Sequence, residues 1–368
     1  MASPVNIPPQ SPRRGGASLA ELTLELCRIY SETGFEAAIA DDLEARCRAL
    51  VGPANVRRVG NSVVAWGAQI EGRPTLGLFG HSDTVKPAED QPLEIRDGRV
   101  FGCGASDMKG GLACMLELLA EAGSLGRNLI AVFYDKEEGP AVDNGLEPLF
   151  TSDAIPYMDL GVCLEPTDNR IQAGCVGGLH ATLTFRGRRA HSARPWQGEN
   201  AIYKAIGMLE RLKAFGRREV QVGPLTFYEV MNATMASTAN SRNVIPDAFA
   251  LNVNYRFAPG KPLAVAAEEL RELVAGDADV TIIDEAPSGE VCLDHPLVTA
   301  WQAEQARLGQ PLEVEAKQAW TDVARLTARG IPAINFGPGE TAQAHQARES
   351  IPVAYLEEGY AALRRLFV

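Results

Sequence analysis

Two short runs of almost continuous apolar residues limit the folds that this chain can adopt. They are NLIAVFY, at Asn128–Tyr134, and LGVCL, at Leu160–Leu164. A strand with one face in water alternates apolar and polar residues, whereas a strand covered on both faces does not need to alternate. Helical segments separate the predicted strands, and a capping box of Ser18 and Glu21 marks the first of them. Strands that alternate with helices predict an α/β domain with a mostly parallel sheet.

Strands of a different kind are predicted in the middle of the chain. Leu179–Arg186 (LHATLTFR) and Phe249–Phe257 (FALNVNYRF) place apolar residues at every second position, which predicts strands with one exposed face. With two helices and two further strands, these segments give the order β-α-β-β-α-β of a ferredoxin-like α+β domain. We therefore predict a lid or dimerisation domain at residues 178–286. It is inserted into a catalytic, metal-binding domain formed by residues 1–177 and 287–368.

The first helix of the predicted inserted domain covers about Glu199–Phe215. Ile202, Ile206, Leu209 and Leu212 recur within it at intervals of three and four residues. This spacing is typical of an amphipathic helix, so we expect these four side chains to share one apolar side.

Charge and composition exclude several classes of function. Lys and Arg number 35 against 47 Asp and Glu, and the formal net charge is -12. An acidic chain without a basic run is unsuited to nucleic acid, and it lacks the polybasic attraction to anionic lipid. No apolar stretch approaches the roughly 18 residues that a membrane span needs. We therefore expect neither a nucleic acid nor a membrane as a partner.

The seven cysteines indicate a reducing compartment. They are odd in number and scattered, and none forms a Cys-x-x-Cys motif. This use of cysteine is typical of free thiols rather than of a disulfide framework. The first residues, MASPVNIPPQSPRRGG, lack the apolar segment of a secretory signal and are predicted to be an unstructured lead-in. We therefore expect a cytoplasmic protein.

Histidines and carboxylates gather where the strands of the predicted α/β domain end. The carboxyl ends of the strands are the edge at which open α/β sheets bind ligands. Imidazole and carboxylate together suit zinc-like divalent ions, and no thiolate is required. The residues that follow these strands, or lie in loops expected at the same edge, are His81, Asp83, Asp107, Glu137, Glu138, Glu165 and His345.

Each of these groups also has an ordinary explanation when it is taken singly. Asp107 could cap the helix that begins near Lys109. Glu137 and Glu138 could be a solvated loop pair, and His345 an exposed loop residue. The ordinary explanation must hold for all of them at once, however, and carboxylates that converge on one edge repel each other. Bound cations would remove that repulsion.

The spacing of the carboxylates also suits a pair of ions. Asp107 has two oxygens on a short stem, so it could bridge two ions about 3.5–4 Å apart. Glu137 and Glu138 are adjacent, so they face opposite ways in an extended segment. One of them could bind an ion while the other faces the bound water as a general base.

Six motifs, in order along the chain, resemble those of the di-zinc amidohydrolases. They are GHSDTV, GCGASDMKGG, DKEEG, LEPT, GRRAHSARP and FGPGETAQAHQ. The resemblance extends from about Leu19 to the C-terminus and includes the predicted inserted domain. The family contains deacylases of N-acyl amino acids and small peptidases. The resemblance therefore implies a metal-dependent hydrolase that acts on a linear amide of a small N-acyl amino acid.

The resemblance implies two zinc ions per subunit, for which cobalt can substitute. The ligands of one ion are His81, Asp107 and Glu165. The ligands of the other are Asp107, Glu138 and His345. Asp107 is thus the ligand that the two ions share.

The resemblance also assigns three catalytic residues. Glu137 is the general base. Asp83 lies behind His81 and orients its ring, because a carboxylate on a metal-bound imidazole fixes the tautomer. His191, in the inserted domain, reaches the active site of the partner subunit in a homodimer and stabilises the oxyanion.

The residues that bind the substrate are identified less specifically than the metal ligands. Arg194 and Arg256 are assigned to the carboxylates of the substrate, since a guanidinium fork matches carboxylate geometry. Asn243 and Thr321 complete the predicted set. A surface or interface salt bridge is the alternative for the two arginines.

The chain departs from the family motifs at two places, which leaves the substrate open. Cys103 stands where many relatives have Arg, and Trp320, Thr321 and Asp322 stand in place of a Gly-Gly-Thr-Ser-Asp run. Deacylation of another N-acyl amino acid, of the acetylornithine kind, or hydrolysis of a small peptide is therefore an alternative. A metal-binding protein without catalysis is the alternative from another class.

Overall fold

The structure is a computed structural model that describes residues 18–368. The predicted N-terminal lead-in lies outside the described residues. Within residues 18–368, none of the helices has both the length and the apolar composition that a membrane crossing requires. The α-helices are α1 (Leu19–Arg28), α2 (Ala37–Val51), α3 (Gly110–Ala120), α4 (Leu146–Thr151), α5 (Ala201–Lys204), α6 (Ile206–Phe215), α7 (Leu263–Val274), α8 (Pro296–Arg307), α9 (Val323–Thr327) and α10 (Val353–Leu366).

The strands of the described residues are short, except for three in the middle of the chain. They are β1 (Val56–Val59), β2 (Ser62–Trp66), β3 (Thr75–His81), β4 (Glu94–Arg96), β5 (Arg99–Phe101), β6 (Asn128–Tyr134), β7 (Leu160–Cys163), β8 (Ile171–Ala173), β9 (Gly177–Arg186), β10 (Ala190–His191), β11 (Arg217–Val222), β12 (Leu225–Ser237), β13 (Val244–Ile245), β14 (Ala248–Phe257), β15 (Asp279–Ala286), β16 (Val314–Ala316), β17 (Ala333–Asn335) and β18 (Ser350–Pro352).

The chain forms two compact units. The first contains residues 18–159, 164–169 and 336–368, and the second contains residues 160–163 and 170–335. Residues 178–286 thus lie within the second unit, together with further residues on either side. A separately folded domain with the boundaries 178–286 stays a prediction.

The apolar runs form buried strands in both units: LGVCL forms β7 of the second unit, and NLIAVFY forms β6 of the first. In the first unit, four strands lie in the order β1-β2-β6-β3, with β3 and β6 paired in parallel, and three short strands form a second sheet, β18-β5-β4. Every residue of β3 and β6 is buried, as expected for strands covered on both faces. The capping box at the start of α1 is present, because Ser18 accepts the Glu21 N–H while the Glu21 carboxylate accepts the Ser18 N–H.

The predicted α/β class is confirmed, but the α/β strands pair in both directions, so their sheet is mixed. In the first unit, β1 pairs antiparallel with β2, and β2 pairs antiparallel with β6. In the second unit, β17 pairs in parallel with β7 but antiparallel with β8. The β1–β2 pairing follows from a two-residue turn at Gly60 and Asn61, which reverses the chain too tightly for a parallel crossover.

The second unit contains a five-stranded antiparallel sheet, with the order β11-β12-β14-β9-β15. In β9 and β14, buried residues alternate with partly exposed ones, as their sequences predict. Strand β11 is additional to the predicted set. Its sequence, RREVQV, is largely exposed at the sheet edge and has little apolar patterning.

The helix predicted at Glu199–Phe215 is two shorter helices, α5 and α6, and its buried side differs from the apolar side in the sequence. Ala201, Ala205 and Met208 are fully buried with Leu212, whereas Ile202, Ile206 and Leu209 are 39%, 52% and 41% exposed. The small alanines allow close packing on the sheet. The larger side chains of Ile202, Ile206 and Leu209 therefore lie on the solvent-exposed side of these helices.

We expect the alternation in β9 to appear in the stability of the protein. Leu183 is fully buried in the core of the second unit, and the neighbouring Thr182 faces the other way. Leu183→Ala should lower the free energy of unfolding by about 2–5 kcal/mol, because it removes buried methyl groups and leaves a cavity. Thr182→Ala, the matched control, should lower the free energy of unfolding by less than about 1 kcal/mol. Urea titrations followed by circular dichroism would measure both, and equal losses would contradict the assigned core face.

Candidate metal centre

Strand β3 ends at His81, which is nearly fully buried. The His81 Nδ1 atom lies 3.0 Å from the Asp83 carbonyl oxygen and 3.5 Å from a carboxylate oxygen of the same residue. Both contacts hold the ring from one side. The Nε2 atom therefore faces the opposite side, where it lies 3.1 Å from Asp107 Oδ1.

Asp107 lies in a wide helical turn, Ala105–Lys109, immediately before α3. Its backbone angles and those of Met108 depart from helical values, and the peptide bond between these two residues is cis. The Asp107 carboxylate lies next to two histidines. One oxygen faces His81, and the other lies 3.8 Å from Nε2 of His345.

The loop after β6 carries Glu137 and Glu138, and the buried Asp83 carboxylate holds it in place. The two Asp83 oxygens accept the backbone N–H groups of Glu137, at 3.0 Å, and of Glu138, at 3.1 Å. Lys136, just before them, has the left-handed backbone conformation that non-glycine residues rarely adopt. Asp83 therefore contacts the His81 ring and also fixes the backbone of both glutamates.

Glu165 and His345 come from two segments that contact each other. Thr167 exchanges hydrogen bonds with the backbone of Gly337, at 3.0 and 3.1 Å. A Cβ atom at position 337 would lie 2.4 Å from the Glu165 carbonyl oxygen, so only glycine allows this approach. His345 has a φ of 61°, the second such non-glycine residue beside the cluster. Its Nε2 atom lies 2.9 Å from Glu138 Oε1.

The structure thus brings all the sequence-predicted metal ligands of the first unit together. Three groups of three residues each place their possible ligand atoms within 4.8 Å of one another. The first group is His81, Asp107 and Glu165, and the second is Asp107, Glu138 and His345. A third group is His81, Glu137 and Glu138. The first two groups are the ligand sets that the family resemblance implies, and Asp107 belongs to both groups.

The spacing of these atoms fits divalent ions. A tetrahedral zinc ion with ligands at about 2.0–2.1 Å separates neighbouring ligand atoms by about 3.3 Å. The imidazole–carboxylate separations in the cluster are 2.9, 3.1 and 3.8 Å. Nitrogen and carboxylate oxygen donors without sulfur are also a set that zinc and cobalt accept.

Burial and charge perturb the groups of the cluster in a consistent direction. Burial raises the pKa of Glu138, and the Asp107 carboxylate adds to this effect, while the two histidines oppose it. Burial opposes a charge on His81, but its hydrogen bonds to Asp107 and Asp83 raise its pKa well above the usual value. These surroundings favour positive charge next to the carboxylates, which a proton or a divalent cation supplies.

Thr33 is a residue of this cluster that the sequence analysis did not identify. Its hydroxyl donates to Asp83 Oδ2 at 2.9 Å, and its backbone N–H donates to the Thr84 carbonyl. Asp83 thus accepts three hydrogen bonds in addition to its contact with His81. No local signal marks Thr33, because it lies in a loop between two helices and 50 positions before its partner.

Three of the predicted site residues of the second unit lie close to one another. His191 ends β10, which pairs with β13, and its carbonyl accepts the N–H of Arg194 at 2.8 Å. The Asn243 carbonyl accepts the N–H of Ser192 at 2.9 Å. The His191 Nδ1 atom accepts the N–H of Ala193, at 3.0 Å. In a neutral ring the proton is therefore on Nε2, which is free to donate.

Arg256 and Thr321 also belong to the second unit. Arg256 lies in β14 opposite Gly178, where a Cβ atom would come within 2.9 Å of the guanidinium. Burial lowers the pKa of Arg256, and its Nε donates to Asn254 Oδ1 at 3.2 Å. Thr321 is buried, and its carbonyl accepts a hydrogen bond from the Cys175 thiol. The functional assignment of these residues stays a prediction.

The sequence matches a known family over most of its length. Residues 77–368 match the family model described as peptidase family M20/M25/M40. A Mycobacterium tuberculosis protein with the provisional name succinyl-diaminopimelate desuccinylase is 38% identical over 349 residues, which cover 94% of this chain and 96% of the relative. The succinyl-diaminopimelate desuccinylase of Corynebacterium glutamicum is 36% identical over 360 residues, 94% of each chain.

The fold also matches solved structures. A tripeptidase from Staphylococcus aureus superposes with a TM-score of 0.80 at 22% sequence identity, covering 95% of this chain and 96% of that one. At this level of identity the match concerns the fold.

Removal of metal should destabilise the protein if the cluster holds cations. We expect protein stripped with a chelator to unfold at a lower temperature than protein to which zinc or cobalt has been restored. A free metal concentration of 100 times the dissociation constant stabilises the folded state by about 2.7 kcal/mol per ion. Differential scanning calorimetry would measure the difference, with potassium chloride at matched ionic strength as control. An unchanged melting temperature would argue against cation binding.

Proposed function

This chain belongs to the peptidase family M20/M25/M40, and from this premise we propose that it hydrolyses N-succinyl-LL-2,6-diaminopimelate to succinate and LL-2,6-diaminopimelate. This reaction supplies precursors of lysine and peptidoglycan. The observation that carries the proposal is the 36–38% identity, over 94% of the chain, to relatives named for this activity. The cluster of histidines and carboxylates supports the same chemistry.

The proposed cofactor is a pair of zinc ions per subunit, for which cobalt can substitute. His81, Asp107 and Glu165 would hold one ion, and Asp107, Glu138 and His345 the other. Ions held by these residues would supply a water nucleophile at neutral pH and would polarise the scissile carbonyl.

Glu137 is the proposed general base. Its carboxylate falls in the same group of possible ligand atoms as His81 and Glu138, and its backbone is fixed by Asp83. It would take a proton from the attacking water as the new C–O bond forms. It would then give that proton to the amine as the amide C–N bond breaks.

Asp83 is assigned two tasks. Its contacts with the His81 ring keep the Nδ1 side occupied, so that Nε2 faces the carboxylates. Its hydrogen bonds to the backbone at Glu137 and Glu138 would keep the base and a ligand in a fixed relation. One buried carboxylate would therefore position three other side chains.

His191 would stabilise the oxyanion in the active site of the partner subunit of a homodimer. Its ring is exposed, and the acceptor role of Nδ1 leaves an N–H on Nε2 for donation. The exposed apolar side chains of α5 and α6 support a homodimer through this unit. They are Ile202, Tyr203, Ile206 and Leu209. Such a stripe is typical of a surface that another chain covers.

The carboxylates of the substrate would be bound by arginine. Arg256 is half-buried beside Asn254, and a partly desolvated guanidinium binds carboxylate more strongly than an exposed one does. Arg194, Asn243 and Thr321 complete the proposed substrate-binding set. We also infer a cytoplasmic location, because the seven cysteines are free thiols and six of them are buried.

Replacement of the proposed base should separate chemistry from metal binding. We expect Glu137→Gln to lower kcat by roughly 100- to 10,000-fold, because the proton acceptor is lost, while both metals stay bound. Steady-state kinetics and metal analysis of the same sample would test this. The matched control is Glu71→Gln, at an exposed turn of the same unit, which should keep its full rate. A Glu137→Gln variant with most of its activity would contradict the assignment.

A comparison of substrates tests the proposed specificity. Metal-stripped protein with zinc or cobalt restored would be assayed against succinyl-diaminopimelate, acetylornithine and a tripeptide. We expect kcat/KM for the succinyl compound to exceed the others by at least about 100-fold, since unpaired polar groups in a site strongly reject the wrong substrate. A higher value for acetylornithine or the peptide would overturn the substrate but leave the metallohydrolase chemistry standing. No metal-dependent turnover of any amide would overturn both.

A further inference from the structure

We propose that Glu349 is a positioning residue whose buried carboxylate fixes the turn that carries Asp107. The inference rests on the proposed function in one respect, which is the role of Asp107 as the shared metal ligand. Glu349 belongs to none of the motifs that identify the site, and it is not among the possible ligands of the cluster.

The Glu349 side chain accepts three backbone hydrogen bonds from a single short segment. One oxygen accepts the N–H of Gly104 at 2.7 Å. The other accepts the N–H of Ser106 at 2.8 Å and that of Asp107 at 2.9 Å. Glu349 is only 2% exposed, so water does not compete for these donors.

The segment needs such an acceptor because its backbone is irregular. Gly104 has a positive φ of 80°, and Asp107 and Met108 depart from helical angles within the turn. Ser106 is buried as well, so an N–H group there without an acceptor would carry a cost. One carboxylate therefore supplies the acceptor for three of the four N–H groups between residues 104 and 107.

The position of Glu349 in the chain links the two sides of the cluster. It follows His345 by four residues and leads directly into β18, which pairs with β5. Its own carbonyl accepts the N–H of Gly102 at 3.1 Å. The segment that supplies one ligand is thus fastened, by main chain and side chain, to the segment that supplies the shared ligand.

A positioning role predicts a change at the metal site, and a purely structural role predicts a change in stability alone. In Glu349→Gln one oxygen is replaced by an amide NH₂, which has no acceptor to offer the facing backbone N–H. The turn should relax, and the Asp107 carboxylate should leave its present place between the two histidines. Loss of partners that orient metal ligands typically weakens metal binding 10- to 100-fold.

A control for stability is available in the second unit. Glu229 is also a buried glutamate, 3% exposed, that accepts a backbone N–H, from Ala258 at 3.0 Å, and contacts Lys261 at 2.8 Å. Glu229→Gln should lower the melting temperature without changing the metal site. Glu349→Asp provides a second test variant if Glu349→Gln fails to fold, because it keeps the carboxyl group but is too short to reach all three donors.

The experiment is a titration of metal-stripped protein with cobalt, followed by calorimetry and by the visible absorption of the bound ion. We expect wild-type protein and Glu229→Gln to bind two ions with the same affinity and spectrum. Glu349→Gln or Glu349→Asp should bind at least one ion 10- to 100-fold more weakly, with an altered cobalt spectrum and a lower kcat. Equal binding and spectra in the Glu349 variants, or an equal loss in Glu229→Gln, would overturn the positioning role. If the wild-type protein itself binds no cobalt, the proposed function fails instead.

Discussion

The accumulation of negative charge at one edge of the first unit is the constraint on which the rest of the site depends. Asp107 lies within a few ångströms of Glu138 and also of Glu165, and all three carboxylates lie close to His81. Burial makes each carboxylate costly to ionise, and proximity makes the cost larger. Positive charge placed between the carboxylates offsets both the cost of burial and their mutual repulsion. The separation of the donor atoms suits divalent metal ions, which would supply that charge.

Such a cluster also requires that its ligands stay in place against their mutual repulsion. The structure achieves this with carboxylates that bind backbone rather than metal. Asp83 accepts the N–H groups of the loop that carries Glu137 and Glu138, and Glu349 accepts those of the turn that carries Asp107. Both carboxylates are buried and accept several hydrogen bonds, which satisfy their oxygens without water. The loops that carry the candidate ligands are therefore fixed by buried carboxylate side chains instead of regular secondary structure.

The two units use their strands differently. In the first unit, β3 and β6 are buried on both faces, and their ends deliver the site residues. In the second unit, β9 and β14 bury one face and leave the other partly exposed, with Arg256 on the polar face. The apolar stripe on α5 and α6 arises because alanine, not isoleucine, packs against the sheet. The sequence alone suggested the opposite side, since hydrophobicity cannot tell which face fits closely.

Local sequence determined the buried strands, the capped first helix and which histidines and carboxylates form the candidate cluster. These features depend on the period of the apolar residues and on the chemistry of side chains that follow strand ends, and both are visible within a few residues. The mixed strand directions, the edge strand β11 and the break between α5 and α6 were decided by packing. So were the contacts of Thr33 with Asp83, 50 positions away, and of Glu349 with Ser106, 243 positions away. Their donors and acceptors meet only because the chain returns to the same place, and no local pattern encodes that path.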